Sequence, residues 1–396
     1  MDIMTIRVIT EDEGFRSLEP VWNDTLQRCG KNNSIYLTYE WLSTWWKYFG
    51  QDKEMNILLF EKANRVIGIL PLMKIKCKVA LIKWNILETI GSLNYNCVWL
   101  VPHEYVDDAM TAFLAYIEDE MTRDRLLLRL SFIPEDSLFL DRLQKHASLS
   151  SRSMFIHKKV TTIAPYIKLP ATWKEFISSL SRNRRKILRR ALRALEKQGE
   201  IQLKEYNLDT LDDGLSKFYD LHQSRWQAVN IRGVFSNPQM KEFYRDIASQ
   251  FLRNNWLYFT CLTLNKEPVS IEYSFIYNQK LYNTTIGRDI LYSEYGVGHL
   301  HHFFIIKEAI KRHLQEVDLL RGDEPYKFHW TKSARRYIRI ILKKRSYGSR
   351  LSLRFICLCL RLSEIFQYNL KEIYSLFLIK RREKKQKEKM GRNRLP

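Results

Sequence analysis

The sequence predicts an α/β protein, more closely α+β, in which one layout of helices and strands occurs twice and a helical, basic tail follows. Three observations carry this. Before residue 165, helices lead into a strand pair, a further helix and a further strand. After Pro165, helices lead into a three-strand meander, a long helix and a short strand. Beyond Ser346 the chain turns to Leu, Phe and Ile interrupted by cations. The expected units are 1–165, 166–346 and a tail over 347–396.

Residues 3–9 read as an edge strand, and 11–29 as an amphipathic helix with Phe15, Leu18, Val21, Trp22 and Leu26 inward. YEWLSTWWKYFG (39–50) sets Trp41, Trp45 and Phe49 four apart on one stripe, with Gly50 as the stop. MNILLFEK and RVIGILPLMKIK form a hairpin about Ala63-Asn64, with Pro71 near its far end. Strands over 94–101 and 126–132 flank a helix over 105–121. In the second unit, Thr172 and Glu175 form a capping box for a basic helix that runs to Gly199. Its expected inward stripe is Ile187, Leu188, Ala191 and Leu195. A helix over 211–229 follows, then one opened by Asn237-Pro238. WLYFTCLTL, EPVSIEYSFIY and KLYNTTIGR make the meander, turning at Asn265-Lys266 and Asn278-Gln279. A glycine loop, a helix over 297–314 and the strand EVDLL complete the unit.

Hydrophobic residues at 45% and aromatics at 13% exclude global disorder. The six cysteines form no C-x-x-C or Cys/His zinc spacing, and a 396-residue chain needs no disulfide staples. No apolar signal core opens the chain, and no run of about 18 uncharged apolar residues exists. A cytoplasmic protein is expected, with peripheral contact at the inner membrane open to it through the tail. The net charge of +21 is concentrated, with +12 from Lys343 to Pro396 and +7 from Arg182 to Lys197, so the body is almost neutral.

Gly296 and Gly298 directly precede an apolar helix after the third meander strand. Bare amides at such a helix start, with its dipole, can hold a pyrophosphate. Many helices start with glycine for steric reasons, so the position after the meander gives the pair its weight. His222 and Arg225, one turn apart beside Trp226, suit recognition of a carboxylate or sugar hydroxyl. A half-buried His beside an exposed Arg is the plainer alternative. Glu272, if inward, needs a partner, for which Arg288 is the candidate. His299, His301 and His302 do not present three ligands to one ion, so no metal is expected.

These segments carry a resemblance. YEWLSTWWKYFG, RVIGILPL, FISSLSRNRRKILRRALRALEKQG, FYDLHQSRW, YSEYGVGHL and AIKRHLQEVDLLRGDEPYKFHW resemble the CelD-like group of the GNAT acyltransferase superfamily. Its members carry a BioF-type, FemAB-related acetyltransferase domain and are often labelled cellulose-biosynthesis proteins. The likeness covers about 1–345. It implies tandem GNAT-like folds, the first half degenerate, and a loop Tyr295-Gly296-Val297-Gly298-His299 that holds acetyl-CoA or another acyl-CoA. The superfamily's usual Gln/Arg-x-x-Gly-x-Gly/Ala here begins with Ser293. FemAB-type relatives use aminoacyl-tRNA instead, the one circumstance in which nucleic acid would be a partner. The implied reaction moves an acyl group to an amine of a small molecule or glycan precursor. It requires a base, for which Asp289, Asp323 and Glu324 are candidates, a thiol proton donor in Tyr326 and an anion clamp in Lys327. A non-catalytic adaptor held at anionic membrane by the tail is the alternative of a different class.

Overall fold

The computed structural model describes residues 3–30, 33–79, 82–91, 99–149, 154–228 and 230–344; the tail expected beyond residue 346 lies outside them. The first half contains β1 (Thr5–Ile9), α1 (Asp12–Arg16), α2 (Glu19–Arg28), α3 (Tyr39–Phe49), β2 (Glu54–Lys62), β3 (Arg65–Val79), β4 (Ile82–Thr89), α4 (Val106–Arg123), β5 (Leu126–Pro134), α5 (Leu138–Leu149) and β6 (Met154–Lys168). The second contains α6 (Trp173–Ser179), α7 (Arg182–Glu196), β7 (Ile201–Glu205), α8 (Leu211–Gln227), α9 (Pro238–Arg253), β8 (Leu257–Leu264), β9 (Glu267–Tyr277), β10 (Lys280–Arg288), α10 (Val297–Lys311), β11 (Glu316–Asp318) and β12 (Ala334–Lys344).

All these strands join one sheet, in the order β1-β2-β3-β4-β5-β12-β6-β11-β10-β9-β8-β7. Read inward from either edge, the series is the same. β4–β5 and β10–β11 are its parallel neighbours, linked by the crossover helices α4 and α10. The two halves are therefore tandem copies of one GNAT-like layout, as expected. They also exchange strands. β6 pairs with β12 through Pro165 and with β11 from Tyr166 onward, while β12 pairs with β5. Residue 165 thus lies inside the strand that joins the halves.

The hairpins follow from their turns. Ala63-Asn64, Asn265-Lys266 and Asn278-Gln279 each place two successive residues at positive φ, the two-residue turn that matches strand twist. β3 continues past Pro71 to Val79 and returns as β4, longer than the sequence pattern implied. Pro71 is tolerated because the β4 ladder ends at Leu72–Thr89, and its carbonyl accepts from Ile90. Of the strand expected over 94–101, residues 94–98 lie outside the description, and Leu100 makes an isolated bridge to Ile69.

The tryptophan-rich α3 belongs to the seam between halves. Thr38 caps it, and its stripe packs on α9, with Trp41 and Phe243 rings 5.2 Å apart. Gln250 donates to Thr44, and Lys47 and Tyr48 both reach Asp246. Two expected helices are broken. Pro20 restarts the first as α2, because it cannot donate the bond that would continue α1. The basic helix breaks at Leu180, which is extended and buried, and Ser181 caps α7 afresh. Among the described residues, no helix is long and apolar enough to cross a membrane.

Candidate active site

A split in the sheet positions the site. β10 and β11 pair only through Lys280–Tyr282 against Glu316–Asp318. β10 then bulges between Asn283 and Thr285 and continues to Arg288 along β9, whereas the chain after Asp318 leaves the sheet. The start of α10 follows this opening. Gly296 is left-handed at φ +65°, and a Cβ there would meet nothing within 4 Å. A Cβ on Gly298 would stand 3.5 Å from Arg288 Cδ. No acidic residue occupies the first turn, and among the described residues the amides of Val297 and Gly298 donate to nothing.

Arginines surround this helix start. The break before α7 puts Arg184 on the inward stripe with Leu188 and Leu195, while Ile187, expected inward, is 48% exposed. Arg184 is only 6% exposed, stacks 4.3 Å over Trp330 and lies 3.2 Å from His299 Nδ1; its Nε has no partner. Burial lowers its guanidinium to about 10. Burial likewise lowers Arg225 and Arg288, and Arg288 adds to the effect on Arg225. None of the three forms an ion pair among the described residues. Arg184 is buried and Arg225 and Arg288 are half-buried, and desolvated cations without a counter-charge are costly, so this cluster can accommodate an anion.

A second cluster lies deeper. Glu272 on β9 is fully buried; Ser274 and Asn283 donate to its Oε1, and Oε2 faces His302 Nε2 at 3.3 Å. Arg288, the partner expected from sequence, is not among these contacts; the bulge at Asn283 brings that amide to the carboxylate instead. Burial pushes Glu272 up to about 8 and His302 down to about 3. His301 points elsewhere, between Thr260 and Ser270.

The remaining candidates divide. Tyr326 reaches this region, its ring 6.0 Å from His302 and 6.4 Å from His299. Burial lowers His299 to about 4. Val297 points into the core, and Tyr295 packs with Tyr292 against α7. His222 is buried rather than half-buried, accepts from Trp226 Nε1 at 3.0 Å and is lowered to about 4 by burial. Arg225 lies 5.2 Å over the Trp226 ring. Asp289 caps the turn after β10 through Leu291 N, while Asp323 and Glu324 are exposed. Lys327 is no open anion clamp. Its ammonium bonds the carbonyls of Leu320 and Arg321 and pairs with Glu324 at 3.0 Å, which pins the loop carrying Tyr326. Sequence reasoning missed Arg184 and Trp330; the Ser181 cap and the three-residue step to Arg184 were the available signal.

Residues 182–328, which hold the groups just described except Trp330, match the family model of the acetyltransferase (GNAT) domain. They are a GNAT domain. The fold expected from YSEYGVGHL and its companions is present. Among solved structures, the chain is similar to FemX (11% identity, TM-score 0.58, covering 82% of this chain and 95% of that one). It is also similar to the C-terminal domain of a putative lysylphosphatidylglycerol synthetase from Agrobacterium fabrum (9%, TM-score 0.51, 87% and 96%). A conserved protein of unknown function from Bacteroides thetaiotaomicron is a third (10%, TM-score 0.50, 85% and 100%). Identities this low speak for the fold alone. No curated protein matched the sequence.

Proposed function

We propose that the GNAT domain is an N-acyltransferase that takes its acyl group from acyl-CoA and passes it to an amine, on an amino sugar or another cell-envelope precursor. The carrying observation is the acid-free start of α10, where left-handed Gly296 and the idle amides of Val297 and Gly298 adjoin Arg288 and the buried, unpaired Arg184. This set fits a pyrophosphate, and it answers the Ser293 departure, since cations from β10 and α7 stand where the loop supplies none. The bound donor supplies an activated carbonyl. The chain's part is to hold phosphate at the helix start, to orient an acceptor near Arg225 and to protonate the departing sulfur from Tyr326. Asp289 and Glu324 already have partners, which leaves Asp323 as the freest of the three candidate bases.

One observation favours a second donor. Arg182, Lys186, Arg189, Arg190 and Arg193 are exposed on α7, and none forms an ion pair among the described residues. Such a face suits the backbone of an aminoacyl-tRNA. Calorimetric titration with acetyl-CoA, longer acyl-CoAs and a charged tRNA separates the readings. Micromolar binding of an acyl-CoA is expected; binding of the tRNA alone would replace the donor.

A further inference from the structure

Of the three arginines around the site, two stand on the α10 face of the sheet and the third does not. A Cβ on Gly298 would meet Arg288 Cδ at 3.5 Å and Ile286 Cδ1 at 3.8 Å, so these two residues of β10 face α10. Gly287 faces the other way. A Cβ there would come 2.9 Å from both the His222 amide nitrogen and the Phe218 carbonyl oxygen of α8, a contact only glycine allows. The cores divide in the same manner. Tyr258, Leu262 and Leu264 of β8 pack with α7 and α10, whereas Phe259 and Cys261 pack with α8. Arg184 and Arg288 thus flank the start of α10 from one face. Arg225, one turn beyond His222, approaches the end of β10 from the other.

Arg225 is held in place without an acceptor. Its guanidinium lies 5.2 Å over the Trp226 ring, whose N–H is spent on His222 Nε2 at 3.0 Å. Ile231 N donates to the Trp226 carbonyl, and a Cβ on Gly233 would stand 3.1 Å from Trp226 Cδ1, so the following loop packs against the ring. Among the described residues, nothing accepts a hydrogen bond from the guanidinium of Arg225 or Arg288. Asp289, next in the chain, turns its carboxylate to Leu291 N at 2.8 Å. Burial lowers both arginines, and Arg288 adds to the effect on Arg225. A pyrophosphate at the start of α10 answers Arg184 and Arg288. It leaves Arg225, on the opposite face, with a free fork of N–H donors that fits an oxyanion.

We propose that the acceptor amine carries an oxyanion of its own, a carboxylate or a phosphate, and that Arg225 receives it; this rests on the acyl-transfer reading. Donor and acceptor then approach the end of β10 from opposite faces, each led by its own anion. Arg225 determines acceptor specificity, because an amine without the anion leaves its donors to water. Trp226 is a positioning residue, whose ring holds the guanidinium and whose N–H is anchored on His222.

Amines matched in pairs test this: β-alanine against β-alanine amide for a carboxylate, and glucosamine 6-phosphate against glucosamine for a phosphate. Binding is read first, without any chemistry, from the arginine Nε–H signals in NMR of the full chain at low salt. Arg225 is assigned by the signal lost in Arg225→Gln, which removes a cation that no carboxylate faces and should leave the fold intact. Its signal should shift with the anionic member of a pair and not with the neutral one, and the pair that acts tells carboxylate from phosphate. Coenzyme A release from acetyl-CoA is read second. In that pair kcat/KM should be at least about tenfold higher for the anionic amine. Arg225→Gln should remove the preference through KM, with acetyl-CoA affinity unchanged. Arg225→Lys, which keeps the charge and loses the fork, should restore part of it. An Arg225 signal that ignores both anionic amines, or follows the neutral ones equally, overturns the proposal, as does an equal or reversed kcat/KM in both pairs. A shift confined to the anionic amines without coenzyme A release from any amine overturns the acyl-transfer reading instead and leaves the anion site in place.

Discussion

The crossover helices α4 and α10 hold matching places in the two halves and begin in opposite ways. α4 opens Val106-Asp107-Asp108, and α10 opens Val297-Gly298-His299. Acids neutralise the first start, with Asp107 meeting Arg142 and His146 and Asp108 meeting Lys62. The second has no acid, a left-handed glycine and idle amides. The strands differ to match. β4 runs beside β3 without a bulge, and its parallel register with β5 ends on the buried ion pair of Glu88 and Arg129. β10 is bulged, and among the described residues the arginines near it form no ion pair. One layout supports both arrangements, so the layout does not make the site. What distinguishes the proposed site is acid at one helix start and its absence, with cations nearby, at the other.

The largest effect expected from this contrast is on stability. Arg129→Met would leave Glu88, 7% exposed, without the guanidinium whose Nε and Nη2 both donate to its Oε2, and should cost about 3 kcal/mol or more. Arg184→Met removes a buried cation that has no carboxylate to abandon. It should leave the ligand-free protein within about 1 kcal/mol of the parent, or more stable, while weakening acetyl-CoA binding. Denaturant titration with and without acetyl-CoA measures both. Equal destabilisation by the two variants would break the contrast.

Next comes the helix start itself. Gly298→Asp copies α4's second residue into α10. Its Cβ would meet Arg288 Cδ at 3.5 Å, an ordinary contact, so the fold should survive. The carboxylate would take the place proposed for phosphate, and acetyl-CoA affinity should fall at least tenfold, about 1.4 kcal/mol. Unchanged affinity by calorimetry in the folded variant would remove this loop from the site.

How much of this could be read from sequence depended on range. Turns and caps are local, and Ala63-Asn64, Asn265-Lys266, Thr172 and Asn237 were legible because their backbone geometry lies in two to four neighbouring residues. Gly296 and Gly298 were legible for the same reason. Strand exchange was not, since nothing inside β6 or β12 says which half each will join. Arg184 was hidden in a run of eight cations whose periodicity favoured Ile187 as the inward residue; the Ser181 cap shifted the stripe onto Arg184. Glu272 was recognisable as an inward acid, but its partner depended on a bulge on the next strand.

The smallest effect belongs to the closed half. Asp107→Asn keeps the size of the side chain at the start of α4 and removes its charge. The carboxylate is exposed, so losing its ion pairs and its interaction with the helix dipole should cost less than about 1 kcal/mol. The hydrogen bond from His146 chiefly holds this carboxyl below its ordinary range, with Arg142 helping. A depressed folded-state value means the contribution is present at neutral pH and lost as pH falls through that value, so parent and variant should converge in acid. Denaturant titrations at neutral and acid pH check this. The variant should gain no acetyl-CoA site, because freeing a helix start of one acid does not open it. Asp108 remains, Pro102 and a turn over His103–Tyr105 precede the helix in place of a glycine, and Glu88 with Arg129 still closes the strands beneath. A second binding event in calorimetry would show that one carboxylate alone decides whether this helix start takes the ligand.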